Sequence, residues 1–284
     1  MRIGIGLPTV IPGVPGSAVL DWARRAEARG FSTLGAIDRI VYPNYESLTA
    51  LAAAAGATTT IRLMTDVLLG PTRDPVLLAK QGASLVHLSG GRFVLGVGVG
   101  ARPEDYAVLG RDFHARGRDW DRALELMHRV WQGEAPAGAS RSSAPIFDGH
   151  GRPPLVFGGT SEATIRRIVR WGIGWTASGS GGYAILPFAE RIRQAWREAG
   201  RTGEPWISAL AYFAVGDDPR AAAFLIDYYG PQRGPALAEG LPRNAAELRA
   251  MVQRFADDGV DEVVIFPTLP ELDQVDRLAD AVLG

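Results

Sequence analysis

Cysteine is absent from the 284 residues. That absence excludes a disulfide framework, a thiolate metal site and a cysteine nucleophile together. Lysine is nearly absent as well, since Lys80 is the one lysine among 30 basic residues. No glycine-rich loop precedes it, so neither a P-loop nor a Schiff-base lysine at a strand end is available. Neither sign of charge is in excess. The net charge is −1 and the arginines are scattered, which removes the electrostatic case for nucleic acid or an anionic membrane as partner. Long apolar runs are missing too, and none approaches the ~20 residues that span a bilayer. The opening run Met1–Leu7 enters a strand-like pattern without a basic segment ahead of an apolar one, so a cytoplasmic protein is expected.

Several catalytic signatures are also lacking. The four histidines, His87, His114, His128 and His150, form no H-x-H or H-E-x-x-H pattern, and no metal site is expected. The G-x-S-x-G elbow is absent; Gly159-Thr160-Ser161-Glu162-Ala163 comes nearest and lacks the last glycine. Gly96, Gly98 and Ala101 satisfy a relaxed dinucleotide pattern after a strand. However, Pro103 follows closely and the next clear helix begins only near Arg118, so no helix N-terminus receives a pyrophosphate.

What is present is rhythm. Hydrophobic residues make up 46% of the chain, enough for a closed core. Strand-length apolar runs occur at Ile3–Leu7, Thr33–Ile37, Ile61–Leu69, Phe93–Val99, Leu155–Phe157, Gly174–Ala177, Ile207–Val215 and Glu262–Phe266. Between them the spacing predicts helices, among them Ala18–Ala28, Ser47–Ala55, Pro75–Leu88 behind the Asp74-Pro75 start signal, and Arg118–Trp131. Eight such alternations predict an α/β fold, a (β/α)₈ TIM barrel. The continuous apolar character of Ile61–Leu69 and Val263–Phe266 suits strands buried on both faces. One domain over residues 1–284 is expected, with excursions near 133–154 and 229–242, where Gly, Pro, Ala and Ser accumulate. Of the seven tryptophans, most fall at helical spacing and belong to the core, while Trp175 and Trp206 lie in strands and are expected to line the barrel mouth.

The stretch from Arg62 to Gly110 carries the most information. It contains Arg73-Asp74-Pro75, Leu78-Ala79-Lys80-Gln81, Leu88-Ser89-Gly90-Gly91-Arg92, Leu95-Gly96-Val97-Gly98-Val99-Gly100 and Glu104-Asp105-Tyr106, in that order. The series resembles the bacterial luciferase-like superfamily of flavin monooxygenases and deazaflavin-dependent oxidoreductases. Asp38 at the end of the second strand and Pro154–Ser161 extend the resemblance over the chain.

The resemblance implies a cofactor at the C-terminal mouth, and the residues have physical readings of their own. Gly98 and Gly100 remove side chains where a flat ring approaches the backbone, or where a barrel corner packs tightly. Gly158, Gly159, Thr160 and Ser161 join a strand end to a helix start, which makes an anion site or a plain cap; Ser178 and Gly179 are placed to complete it. Asp66 and Val67 occupy the position where several family members carry a cis non-prolyl peptide beside the ring. Asp38 and Glu104 resemble the acidic groups that some deazaflavin members set near the ring, and they are the catalytic candidates. Arg39 stands where those members have histidine, and it stays charged where histidine would exchange protons. For Asp38 the alternatives are an ion pair with Arg39 or a bond to a barrel loop. Arg92 and His87 read as structural. The expected activity is hydride exchange between F420 and a small organic substrate. The alternatives are an FMN-dependent monooxygenase using oxygen, and a flavin-binding or cofactor-less barrel without turnover. A homodimer is implied by the resemblance alone.

Overall fold

The computed structural model describes residues 1–145, 151–178 and 185–284. Its nine strands, in chain order, are β1 (Arg2–Gly6), β2 (Thr33–Ala36), β3 (Arg62–Thr65), β4 (Leu68–Leu69), β5 (Phe93–Gly98), β6 (Leu155–Gly158), β7 (Gly174–Ser178), β8 (Trp206–Phe213) and β9 (Glu262–Pro267). Every pairing is parallel, and β1 pairs with both β2 and β9. The sheet closes because β3 also pairs with β5, while β4 continues along the same neighbour. β3 and β4 are therefore one stave, and the barrel has the eight predicted.

The expected uninterrupted strand Ile61–Leu69 is broken in the middle. The Asp66–Val67 peptide is cis, and the ladder resumes only at Leu68. A run of apolar residues gives no periodic signal of such a break, because both halves are buried.

The helices wrap this barrel: α1 (Gly16–Ala28), α2 (Ser47–Ala57), α3 (Pro75–Leu88), α4 (Glu104–Ala107), α5 (Arg116–Trp131), α6 (Glu162–Trp171), α7 (Ile185–Glu198), α8 (Pro219–Tyr229), α9 (Gly234–Glu239), α10 (Ala245–Asp257) and α11 (Asp273–Val282). Their apolar stripes face inward. In α1 the buried residues are Val19, Trp22, Ala23 and Ala26, the i, i+3, i+4, i+7 spacing of one helical face. The α3 start signal works as predicted, with Pro75 in the first turn and the Asp74 carboxylate accepting from Leu77 N at 2.9 Å. Two short helices were not expected. One is α4, directly after the fourth stave. The other is α9, which lies inside the stretch 229–242 that reads as an element-free excursion. No helix among the described residues is long and apolar enough to cross a membrane.

Inside the barrel, Met64, Val94 and Val156 meet in a small cluster of their own. Trp206 packs against it. As the first residue of β8, Trp206 stands at the N-terminal end of a parallel barrel, not at the mouth as expected. Its neighbours there are Arg2 and Arg62, each about 5–6 Å from its ring (5.7 and 5.2 Å).

Candidate functional site

The C-terminal ends of the staves enclose a cavity of about 200 Å³ that brings together Asp38, Asp66, Val67, Gly158, Gly159 and Ser178. These six were all singled out in the sequence, and they come from four different staves or the loops that follow them. Gly179 lies outside the described residues.

Val67 forms the centre of the cavity floor. A Cβ on Gly98 would meet its Cγ2 at 2.8 Å, and one on Gly158 would meet its Cγ1 at 3.2 Å. The two glycines therefore make room for Val67, which stands as an apolar ridge between β5 and β6. Gly100, at φ +66°, does the same for Leu69, whose Cδ2 lies 2.9 Å from the position of an added Cβ. The space that these glycines leave at the barrel corner is thus taken by the side chains of Val67 and Leu69.

Asp66 lies beside that ridge. It follows Met64 by two residues on the same stave, so its side chain turns toward the barrel interior. Its residue is 4% exposed. Oδ1 accepts a hydrogen bond from the Thr176 hydroxyl at 2.8 Å, while Oδ2 is buried without a partner among the described residues. Burial drives its pKa up from 3.8 to about 7; the Thr176 bond opposes that rise and the Glu262 charge adds to it. Tyr212 and Tyr229 share a hydroxyl–hydroxyl bond of 2.8 Å within the field of the same carboxyl. Burial raises the pKa of both phenols, so they remain neutral donors and acceptors.

Asp38 is buried and fully occupied. Arg73 grips it with two bonds of 2.7 and 2.9 Å, the Ser47 hydroxyl donates at 3.2 Å and Leu69 N at 2.9 Å. The arginine next to it in sequence is not its partner. Arg39 instead reaches Glu104, at 2.7 Å. Glu104 is about half exposed (53%) and stands on α4 outside the cavity lining. Its neighbour Asp105 is 2% exposed and accepts from Ile40 N and Val41 N at 3.0 and 2.8 Å. The Glu104-Asp105 pair thus clamps the segment after β2, while Arg73 holds Asp38 in the same segment. Sequence reading singled out both Asp38 and Glu104 as catalytic candidates, with a bond to a barrel loop as one alternative for Asp38. It did not foresee Arg73 and Arg39 as their partners, because long arginine side chains choose partners by reach in space.

The turn after β6 is open to solvent. Gly159, Thr160 and Ser161 are exposed, and Gly159 adopts φ +101°, a left-handed conformation that a side chain would strain. The indole of Trp175 donates to the Gly159 carbonyl at 2.8 Å. Buried against Phe188, Trp175 fixes this turn and does not line the mouth as expected. Ser161 caps α6 by accepting from Thr164 N at 3.2 Å. Thr160 and Ser161 lie just past the cavity lining, at the N-terminus of a ten-residue helix.

Arg92, read as structural, donates to Ser89, Ile61, Ala55 and Thr58 oxygens and so ties three segments together. The residues that sequence reading missed are Thr176, Arg102, Tyr228 and Tyr229, which also line the cavity. Thr176 sits in a stave, two residues before Ser178. The tyrosine pair closes α8 just ahead of Gly230, a helix-stop signal that marks a boundary and says nothing of a site.

The residues fit a flavin-type cofactor. An apolar ridge offers a face to a planar ring, an orphaned carboxyl oxygen lies beside it, and an exposed glycine turn at a helix start offers free space to a phosphate. Comparison with known proteins agrees. An uncharacterized protein of Mycobacterium tuberculosis, Rv0940c, is 31% identical over 233 residues, 68% of this chain and 77% of that protein. The 4-hydroxyprotoasukamycin monooxygenase of Streptomyces nodosus subsp. asukaensis is 41% identical over 86 residues, 30% of this chain and 23% of that protein. Among solved structures, an F420-dependent secondary alcohol dehydrogenase, in complex with an F420-acetone adduct, superposes with a TM-score of 0.80. It is 17% identical, and the match covers 99% of this chain and 98% of that one, a likeness of fold. The sequence model of the luciferase-like monooxygenases matches residues 1–278, and with barrel, mouth and relatives in accord the chain is an enzyme that belongs to the luciferase-like monooxygenase family.

Proposed function

We propose that the enzyme holds the deazaflavin F420 across the barrel mouth and exchanges a hydride with a small organic substrate. Asp66 carries this reading. A buried carboxyl that lines the cavity, with one oxygen unpartnered among the described residues and a pKa raised to about 7, can carry a proton at the site of reaction. When bound, F420 supplies the hydride acceptor or donor. A substrate alcohol that gives up a hydride from carbon must also release its hydroxyl proton. Asp66 takes that proton as carboxylate, and returns it as the neutral acid in the reverse direction. Thr176 orients the carboxyl through Oδ1 and leaves Oδ2 for the transfer.

The remaining residues bind and orient. Val67, backed by Gly98 and Gly158, supports the ring, and Leu69 over Gly100 extends that support. Gly158, Gly159, Thr160 and Ser161, with Ser178, hold the cofactor phosphate at the start of α6. Asp38 and Glu104, expected as catalytic acids, act as positioning residues that keep the segment after β2 in place through Arg73 and Arg39.

The test is an absorbance titration of the purified protein with F420 and FMN separately, followed by anaerobic mixing of the preferred complex with candidate alcohols. F420 is expected to bind, with substrate oxidation in the absence of oxygen. Gly159→Glu is expected to weaken binding at least tenfold; a change within about twofold, below ~0.5 kcal/mol, moves the phosphate elsewhere. A second reading, an FMN-dependent monooxygenase, is favoured by the 41% identical stretch shared with a monooxygenase. Tight FMN binding, no F420 binding and turnover that stops without oxygen would establish it.

A further inference from the structure

Two arginines converge on one carbonyl at the rim of the mouth. Arg39 Nη1 and Arg102 Nη2 both donate to Tyr228 O, at 3.1 and 2.8 Å, in the last turn of α8. Both guanidinium groups also lie over the Tyr228 ring, at 5.3 and 5.2 Å from its centre. Up to this point they are equivalent, and capping a helix C-terminus explains both.

They differ in counter-charge. Arg39 is neutralised by Glu104. Arg102 forms no ion pair among the described residues, and it lines the cavity whose floor is Asp66 and Val67. Capping uses one of the five N–H donors of Arg102. The Tyr228 carbonyl is already served by Arg39, so the cap does not require a second charge. The guanidinium is held in place on two sides, by that carbonyl and by the faces of Tyr228 and Tyr229, the second at 5.8 Å. A rigid, half-buried, unpaired cation facing a cavity is built to receive an anion, and a planar fork favours a carboxylate with two parallel bonds.

We infer that Arg102 receives an anionic group of the organic substrate, so that the substrate class is organic acids, with the carboxylate at Arg102 and the oxidised carbon near Asp66. This rests on the reading of the mouth as the cofactor and substrate site. Tyr229 contributes an aromatic wall beside the bound acid, and its hydroxyl stays engaged with Tyr212.

The experiment compares phenylacetate with phenylacetamide, probes matched in shape and differing in charge, on the F420-loaded wild type and on Arg102→Gln. Binding is read from the perturbed absorbance of the bound chromophore, and by calorimetry. The wild type is expected to bind phenylacetate at least tenfold tighter than the amide, with a preference that shrinks as salt is raised. Arg102→Gln is expected to lose that preference while its affinity for F420 stays within about twofold and its melting temperature near that of wild type; Arg102→Lys recovers part of it. Equal binding of the two probes by the wild type, or an intact preference in Arg102→Gln, overturns the inference. A tenfold loss of F420 affinity in Arg102→Gln without change in probe preference also overturns it, and assigns the arginine to the cofactor's own anionic part. If neither cofactor binds the wild type, the cofactor reading fails by itself, and calorimetry with the two probes on the cofactor-free protein still decides the role of Arg102.

Discussion

Glu262 and Asp66 are buried carboxylates at opposite ends of the barrel, and their surroundings are opposite. At the N-terminal end Glu262 is inaccessible to solvent and saturated with partners. Ser32 and Thr33 hydroxyls donate to Oε1 at 2.5 Å each, Arg62 donates to Oε2 at 2.8 Å, and Arg2 completes an ion pair at 3.4 Å. At the mouth Asp66 has a single hydrogen bond, no cationic partner among the described residues and an orphaned oxygen. The first arrangement surrounds the carboxylate with donors and ties β1, β2, β3 and β9 together. The second leaves the charge uncompensated, and burial raises the pKa of the group. Filled lone pairs offset the desolvation of a buried carboxylate and unfilled ones do not, and the fold places one of each kind at its two ends.

The largest expected consequence is kinetic. Asp66→Asn keeps the size and the Thr176 bond but cannot carry a proton. The single-turnover rate of hydride transfer, followed by stopped flow with preloaded cofactor, should fall by roughly 10²–10⁴-fold. A rate within about threefold of wild type would erase the functional half of the contrast.

Next in size is a dependence of stability on pH with an inverted sign. For Asp66 the folded-state pKa of about 7 lies above the ordinary 3.8, so the folded protein keeps a proton that the unfolded chain releases. Stability from this group is therefore full below pH 3.8 and is lost as pH rises toward 7. The loss across that window amounts to about 4 kcal/mol, at about 1.4 kcal/mol per pKa unit. Urea unfolding should show Asp66→Asn to be more stable than wild type at about pH 8, with the advantage shrinking by about pH 5. A parallel pH dependence in the two proteins would contradict the buried, unpaired state of Asp66.

Glu262→Gln tests the other end. Removing this charge leaves Arg62 and Arg2 without their shared counter-charge and should cost about 3 kcal/mol of stability in denaturant titrations. Activity per folded molecule should persist. Because the Glu262 charge helps raise the Asp66 pKa, the same variant should also move the pH-dependent loss of stability to lower pH. Should Glu262→Gln abolish turnover and spare stability, the roles assigned to the two ends would be reversed.

The smallest effect is steric. Gly98→Ala drives a methyl to 2.8 Å from Val67 Cγ2, so the ridge must shift. Overpacking of this kind costs about 1–2 kcal/mol, and cofactor affinity should weaken several-fold in the absorbance titration.

Much of the fold was legible in the sequence because it rests on periodicity. Pro75–Leu88 forms as predicted, with its Asp74 cap, and the other long helices end within a residue or two of the apolar pattern. The site was legible in outline. Asp38, Asp66, Gly98, Gly158 and Ser178 follow or end strands, and in a parallel barrel all strand ends open on one mouth. The placement of Trp206 was open to the same logic, since the first residue of a strand belongs to the opposite end.

The sequence by itself determined the alternation of strands and helices, the cap and stop signals, and the positions of acids and glycines at strand ends. These depend on neighbours along the chain. Only the tertiary structure decided that Asp38 pairs with Arg73, 35 positions away, and that Arg39 turns to Glu104, 65 positions away. It alone showed that α9 fills an apparent loop, that Val67 occupies the space at Gly98 and Gly158, and that among the described residues Asp66 lacks a cation while Glu262 has two. Burial and charge pairing depend on what approaches through space, and a long side chain on a closed barrel meets residues whose distance in sequence carries no signal.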